Sequence, residues 1–174
     1  MQFDTAYSHD LLENTMKVIN IISGFIFGIM LTGITVWLVM PGMMLTERLS
    51  PYGVDETVAK ITANAKAEGW VVSSVQPLHK SVKKHGGGDL LPVVLINLCQ
   101  ADHAYNILKE DAHKVISVMM PCTISVYQKS DGLIYVGTMN AGLLGTLFGG
   151  VVAEVMGGTV AAQQYKFLAF LTPA

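Results

Sequence analysis

The sequence predicts an α+β protein in which one amino-terminal transmembrane helix precedes a small folded domain. Three observations support this class. Residues 18–40 contain no charged side chain, helix-like and strand-like hydrophobic patterns alternate from Asp55 onward, and the chain beyond residue 40 is long enough for one domain. We expect that domain to contain a three- to four-stranded, mainly antiparallel sheet with helices, followed by an apolar helical carboxy-terminal extension.

The composition narrows the class of protein further. Hydrophobic residues make up 51% of the 174 residues and charged residues 14%, which is more apolar than is usual for a soluble protein. The net charge of -2 provides no basic surface of the kind that nucleic acid requires. Two cysteines are too few for a disulfide scaffold or a four-cysteine zinc site. Membrane lipid is therefore an expected partner, and nucleic acid is not.

Residues 18–40 are predicted to form the transmembrane helix. At about 1.5 Å per residue they reach roughly 34 Å, enough to cross the hydrocarbon layer of a bilayer. The run is longer than the core of an ordinary secretory signal, so we interpret it as an uncleaved anchor. Residues 1–17 form its amino-terminal flank, and Pro41 and Gly42 are expected to end the helix.

The charges beside the apolar run bear on its orientation. Lys17 directly precedes the run and Arg48 follows it, so each side carries one nearby cation. A lysine immediately before the run is typical of a signal anchor, which favours the amino terminus inside and the domain outside. The opposite orientation stays open.

Gly24 and Gly28 form a G-x-x-x-G pair within the apolar run. This spacing places both glycines on one helix face, where a second helix can approach closely. Glycine is also common in transmembrane helices, so the pair fits either helix packing or a plain anchor.

The domain at 54–140 follows an expected linker at 41–53. Residues 55–69 have an acidic start, an apolar face and a closing glycine, which together predict a helix. Short β-branched runs predict strands, and a turn at 129–132 joins the last two into a hairpin. The remaining predicted elements are a strand at 70–75, a short helix at 79–84, a strand at 92–98, a helix at 101–111 and hairpin strands at 123–128 and 133–138.

Residues 141–174 form the apolar extension, in which Glu154 is the only charged residue before Lys166. A glutamate is costly in hydrocarbon, and the adjacent Gly157 and Gly158 are expected to break a helix. The segment therefore predicts two shorter helices, or one membrane-surface helix followed by another, rather than a second span. Their apolar surface must be covered by the sheet, by lipid headgroups or by another subunit.

Cys99, His103 and Cys122 are the best candidates for a binding site. Cys99 ends a predicted strand, His103 lies one helical turn later and Cys122 opens another strand, so strand pairing would bring all three to one edge of the sheet. Thiolates and imidazole suit zinc, copper or the iron of a non-covalently bound haem. The alternatives are two buried, inert thiols or a disulfide in an oxidising compartment.

The run from Glu56 to Tyr135 resembles the bacterial family numbered 302 among domains of unknown function. The matching elements are the opening ETVAKITANAKAEGW, the strand ending Asn97-Leu98-Cys99, the His103-Ala-Tyr helix, the Met120-Pro-Cys122 strand that leads to Val126-Tyr127, and a final MNAGLLGTLFGGVVAEVMGG that is similar to an extension in part of the family. The resemblance implies a small α+β domain that tends to self-associate, and it implies no activity. The amino-terminal anchor departs from a plain member.

Two functions follow from these observations. The first is a non-catalytic, membrane-anchored domain that self-assembles or serves as accessory subunit of a larger bacterial inner-membrane complex, with the domain in the periplasm. The second is a metal-, haem- or thiol-based redox or binding module that uses Cys99, His103 and Cys122. No Ser-His-Asp order, H-E-x-x-H, C-x-x-C or C-x-x-C-H motif occurs, so the sequence assigns no catalytic residue.

Overall fold

The computed structural model describes residues 3–173, apart from the side chains of residues 3–14 and 41. The chain divides into two compact units, residues 1–42 and residues 43–174. The first unit is almost entirely one helix, and the second is an α+β domain.

Helix α1 runs over Phe3–Met44, so the expected flank at 1–17 is helical from residue 3 and continuous with the apolar run. Within α1, Thr15–Met40 is long and apolar enough to cross a membrane, and its most apolar 18-residue window has a mean hydropathy of 2.1. The expectation that Pro41 and Gly42 end the helix is wrong by one turn. Proline lacks an N–H and its ring crowds the carbonyl four residues earlier, which disfavours a helix interior without forbidding it.

The domain is built on a six-stranded antiparallel sheet with strand order β2-β3-β4-β5-β1-β6. The sequence predicted three to four strands, and it missed β1 and β6. The strands are β1 Leu45–Ser50, β2 Val71–Pro77, β3 Val93–Cys99, β4 Cys122–Gln128, β5 Ile134–Met139 and β6 Thr172–Pro173.

The segment expected as a linker at 41–53 therefore contains β1, which pairs along its whole length with β5. Its sequence, LTERLS, lacks the apolar alternation that marks a strand. Pairing with β5 instead supplies the hydrogen bonds that its backbone needs.

The helices of the domain follow the predicted order. Helix α2 covers Val54–Ala67, α3 covers Leu78–Lys84 and α4 covers Ala101–Leu108, each within a few residues of its predicted range. Gly69 follows α2 with φ +82°, a conformation that favours glycine at a helix exit. A 3₁₀ helix at Asp111–Met119 connects α4 to β4.

One face of the sheet carries the core. Burial alternates along β3 and β4, so every second side chain faces the helices. The fully buried side chains come from both layers: Ile61 of α2, Ile107 of α4, and the strand residues Ile96, Leu98, Ile124, Val126 and Val136. The alternate strand residues, among them Thr123, Ser125 and Tyr127, are less buried and lie on the opposite face.

The carboxy-terminal extension forms two helical arms, as predicted, but they separate at a different place. Helix α5 is Ala141–Phe148, and the second arm consists of α6 Gly150–Val152, a π-helical segment Ala153–Val160 and α7 Ala161–Phe167. The break falls at Gly149 and Gly150, which both have positive φ. Gly157 and Gly158 lie inside the π-helical segment and do not interrupt the arm, which corrects the expected break there.

Candidate functional site

Cys99, His103 and Cys122 line one cavity beside the inner face of the sheet. The end of β3, the first turn of α4 and the start of β4 meet there, as strand pairing predicted. The cavity has a volume of about 20 Å³, which is room for about one water molecule and far too little for a haem. Apolar side chains form most of its wall, including Trp70, Ile107, Met156 and Val160.

A shared hydrogen-bond acceptor holds His103 in place. Oε1 of Gln163 accepts a hydrogen bond from Trp70 Nε1 at 3.0 Å and lies 2.9 Å from His103 Nε2. An indole nitrogen only donates, so this oxygen is an acceptor and His103 Nε2 must also donate to it. In the neutral imidazole Nδ1 is then the unprotonated nitrogen. Gln100 fixes the backbone, because its side-chain oxygen accepts the His103 N–H at 2.8 Å.

The two cysteines are free thiols, so the disulfide alternative is not formed in this structure. Cys122 pairs with the buried Leu98, and Cys99 is the next residue along β3. Both are partly buried and line the same cavity.

Burial raises the pKa of the Cys122 thiol from 9.0 to about 11, and the neighbouring Cys99 thiol adds to the effect. The thiolate is the nucleophile and the metal ligand, so Cys122 is held in its unreactive form at neutral pH. Among the described side chains, no group of three or more His, Cys, Asp or Glu residues is close enough to hold a metal ion. The cavity is lined by a neutral thiol and an oriented imidazole.

A second cluster lies on the open face of the sheet, and sequence reasoning missed it. Lys129 Nζ is 2.7 Å from Glu47 Oε2, and Tyr127 donates a hydrogen bond to the other oxygen of the same carboxylate. Tyr135 stacks on Tyr127 and donates to Asp131 at 2.8 Å. The cluster assembles because Tyr127 and Tyr135 are cross-strand partners in β4 and β5.

The electrostatics of this cluster keep every member in its ordinary charge state. The hydrogen bonds from Lys129 and Tyr127 lower the pKa of Glu47, and the carboxylate in turn raises the pKa of Lys129. Burial and the bond to Glu47 raise the pKa of Tyr127. A neutral phenol, a carboxylate and an ammonium that bond one another form a structural network, with no group left in a reactive protonation state.

A groove of about 370 Å³ runs beside this cluster over β1, β5 and β4. Glu47, Thr123, Ser125, Tyr127 and Gly137 line it, and it extends to Thr46 and Thr138. Thr46 and Thr138 hydrogen-bond each other at 2.7 Å. No imidazole or thiol lines the described part of this groove, so it offers hydrogen bonds but no activated nucleophile.

The fold and both sites define a class: a small α+β domain with a one-sided antiparallel sheet, and without an evident catalytic arrangement among its described residues. The sequence profile of the family described as "Domain of unknown function DUF302" matches residues 46–169. The chain belongs to that family.

A solved structure supports the same fold. The crystal structure of an uncharacterized conserved protein of this family from Bacillus stearothermophilus has a TM-score of 0.64 to this chain at 20% sequence identity. The match covers 74% of this chain and 98% of the Bacillus chain. A search among curated proteins found no match.

Proposed function

We propose that this protein is a non-catalytic, membrane-anchored domain that self-assembles or serves as an accessory subunit of a larger bacterial inner-membrane complex. The observation that carries the proposal is the amino-terminal helix: no part of its most apolar window, within Thr15–Met40, is buried. Its large side chains, such as Phe25, Phe27 and Trp37, are more than two-thirds exposed. An exposed apolar surface of this size is expected to contact lipid or protein, and the hydrocarbon layer of a bilayer fits the length of the helix.

The polar side chains inside this helix support the same proposal. Ser23, Thr32 and Thr35 each donate a hydroxyl hydrogen bond to a backbone carbonyl of the preceding turn, at 3.2, 2.8 and 2.9 Å. A hydroxyl that is satisfied within its own helix needs no water, which lowers the cost of placing it in lipid. The helix is therefore compatible with hydrocarbon along its length.

The comparisons support an anchor that is separate from the family fold. The family match begins at residue 46, after the apolar helix. The Bacillus chain is matched over 98% of its length by 74% of this chain, so the shared fold does not need all of this chain. An added apolar helix on a domain without an evident catalytic arrangement favours a role in localisation and assembly.

Membrane insertion is tested by fractionation of the full-length protein from a bacterial host. The wild type should stay in the membrane pellet through washes with high salt and alkaline carbonate. A variant with Ile26→Lys and Ile29→Lys should be released, because each lysine at the centre of a span costs about 3 kcal/mol. The matched control, Leu90→Lys with Leu133→Lys, adds the same charge to the domain and should stay bound. Release of the wild type by carbonate would refute the anchor.

Self-assembly is proposed to use the face that carries Gly24 and Gly28. Apart from the neighbouring backbone of its own helix, neither glycine has an atom within 4 Å of the position of an added Cβ, so this face is open to a second helix. Asn20 precedes Gly24 by one turn on the same side, and its amide can bond across a helix pair. Gly33 lies nine positions after Gly24, half a turn round the helix at 100° per residue.

The expected result is that Gly24→Ile with Gly28→Ile lowers the oligomer fraction in mild detergent without loss of insertion. Gly33→Ile is the matched control and should keep the assembly. A wild type that runs as a single chain at all protein concentrations would exclude self-assembly. Unaltered assembly of the double variant would leave the helix as a plain anchor. Proteins that co-purify with the native chain would then identify the larger complex.

The orientation is proposed from Lys17, which places the domain in the periplasm. A thiol reagent that does not cross the inner membrane should label a Leu133→Cys variant in intact cells. Labelling that requires lysis of the cells would reverse the orientation.

The second candidate function, a metal- or thiol-based binding module, retains one observation in its favour. Cys99, His103 and Cys122 line a single cavity, and Gln163 holds the imidazole by its other nitrogen, as is common for histidines that bind metals. Titration of the purified protein with Zn²⁺ or Cu⁺ should give binding that is lost in Cys122→Ser. Equal binding by wild type and Cys122→Ser, or no binding by either, would exclude this function.

A further inference from the structure

The end of the sheet at which β1 begins is also where the uncharged helix α5 starts. The register pairs Leu45, the first residue of β1, with Met139, the last residue of β5. Helix α5 begins two residues after Met139. Within the domain, the first residues after the apolar helix and the start of α5 therefore lie side by side.

Two hydrogen bonds from Asn140 hold the start of α5 beside residues 43–44. Asn140 donates its backbone N–H to the carbonyl of Met44 at 2.9 Å and its side-chain amide to the carbonyl of Met43 at 3.0 Å. The same side chain caps α5, since its oxygen accepts the N–H of Leu143 at 3.1 Å. One asparagine thus ties the start of α5 to a point three residues beyond the end of the apolar stretch at Met40.

The α5 arm has the composition of a segment that contacts lipid. No charged residue occurs between Asp131 and Glu154. Leu147 and Phe148, in the last turn of α5, are each 51% exposed, and the side chains of Met43, Met44 and Leu45 are exposed as well. Since α5 has eight residues, its tip is about 12 Å from its start.

We propose that the tip of α5, with Leu147 and Phe148, contacts the membrane surface on which the domain is anchored. The proposed occupant is lipid, because the first residues of the domain follow directly on the apolar helix. Helix α5 therefore starts beside the headgroup region, which is about 5–8 Å deep on each side of the hydrocarbon, and its tip lies about 12 Å from that start. Leu147 and Phe148 are exposed apolar side chains of the kind that interfacial helices bury at the boundary between headgroups and acyl chains. This inference rests on the proposed anchor and adds a second point of contact with the bilayer.

The chain offers a matched control at the opposite end of the same strand. Leu133 directly precedes β5 and is 50% exposed, which is nearly the same exposure as that of Phe148. It is held by a hydrogen bond from its N–H to the side chain of Asp131 at 2.9 Å. A probe at position 133 therefore reports the domain surface at the end of β5 that is remote from the start of β1, with nearly the same exposure.

The experiment uses the full chain in vesicles that contain lipids brominated near the headgroup end of the acyl chain, which quench tryptophan by contact. Two reporters are made in a Trp37→Phe background, Phe148→Trp and Leu133→Trp, and the buried Trp70 contributes equally to both. Phe148→Trp should be quenched at least about twofold more than Leu133→Trp. Leu147→Trp is a second reporter at the tip and guards against a local defect at residue 148.

Equal quenching of the tip reporters and Leu133→Trp would overturn the inference. The wild-type protein distinguishes that failure from failure of the anchor, because Trp37 lies within the apolar helix. Strong quenching of Trp37 with equal tip and control reporters would leave the anchor standing and remove the lipid contact of α5. Absence of quenching at Trp37 would overturn both.

Discussion

Replacement of Gly145 by alanine is expected to destabilise the domain, because α5 and the π-helical segment touch through their backbones at this point. A Cβ on Gly145 would lie 2.6 Å from the nitrogen and 3.0 Å from the Cα of Gly157, and 3.3 Å from the Cα of Ala153. All three atoms belong to backbone, so no side chain can turn away. The two helical arms would have to move apart.

The size of the effect follows from two opposing contributions. Overpacking a close contact costs about 1–3 kcal/mol, and backbone neighbours favour the upper end of that range. Alanine in place of glycine within a helix contributes about 1 kcal/mol in the other direction. Gly145→Ala should therefore lower the free energy of unfolding by about 1–2 kcal/mol, or the melting temperature by roughly 4–8 °C.

Gly142→Ala is the matched control in the same helix. An added Cβ there would meet only the side-chain oxygen of Asn140, at 3.5 Å, which is an ordinary contact. The helix contribution should then dominate, and stability should stay the same or rise by up to about 1 kcal/mol.

The assay is urea unfolding of the full chain in mild detergent, followed by the fluorescence of Trp70 in a Trp37→Phe background. If the slope of the unfolding free energy against urea concentration is unchanged, the variants differ only in stability. Gly145→Ala as stable as the wild type would refute the close approach of the two arms. An equal decrease in the free energy of unfolding in Gly142→Ala would show that helix geometry, rather than the contact with Gly157, causes the effect.

Three further predictions concern the two side-chain clusters. Gln163→Leu removes the acceptor shared by Trp70 and His103 and should lower the free energy of unfolding by about 1–3 kcal/mol, measured by denaturation against Gln163→Glu, which keeps an acceptor oxygen. In a Cys99→Ser background, the labelling rate of Cys122 should keep rising with pH until about 11, because burial raises its pKa; a plateau near pH 9 would contradict this. Glu47→Gln should lower the melting temperature slightly at pH 7, and the difference should disappear in acid. The folded-state pKa of Glu47 is lowered from 4.5, so its contribution is present above the unfolded-state pKa and is lost as pH falls through the folded one.

Local patterns predicted most of the secondary structure. Helix α2, strand β3 and the β4–β5 hairpin each depend on hydrophobic period and turn residues within a few positions, and these signals are present in the sequence. Strand β1 was missed because it has no such period. Its conformation depends on β5, which lies about ninety residues away along the chain.

The candidate sites were predictable only in part. Cys99, His103 and Cys122 were brought to one cavity by the expected pairing of β3 and β4. The partner that orients the imidazole, Gln163, lies 60 positions from His103 in a helix with no sequence link to that strand pair. Glu47 was unrecognised as a site residue because its strand was taken for a linker.

The sequence by itself determined the apolar helix and the order of the main elements. A long, predominantly apolar run is visible in the sequence whatever surrounds it, and a helix or hairpin shows its own hydrophobic period, so both can be predicted from local sequence. Only the tertiary structure decided which residues from distant segments become neighbours. Gln163 came to orient His103, a backbone contact required Gly145, and Asn140 joined the start of α5 to the residues after the apolar stretch. Each depends on a contact between segments that are separated in the sequence, and that contact exists only in the folded chain.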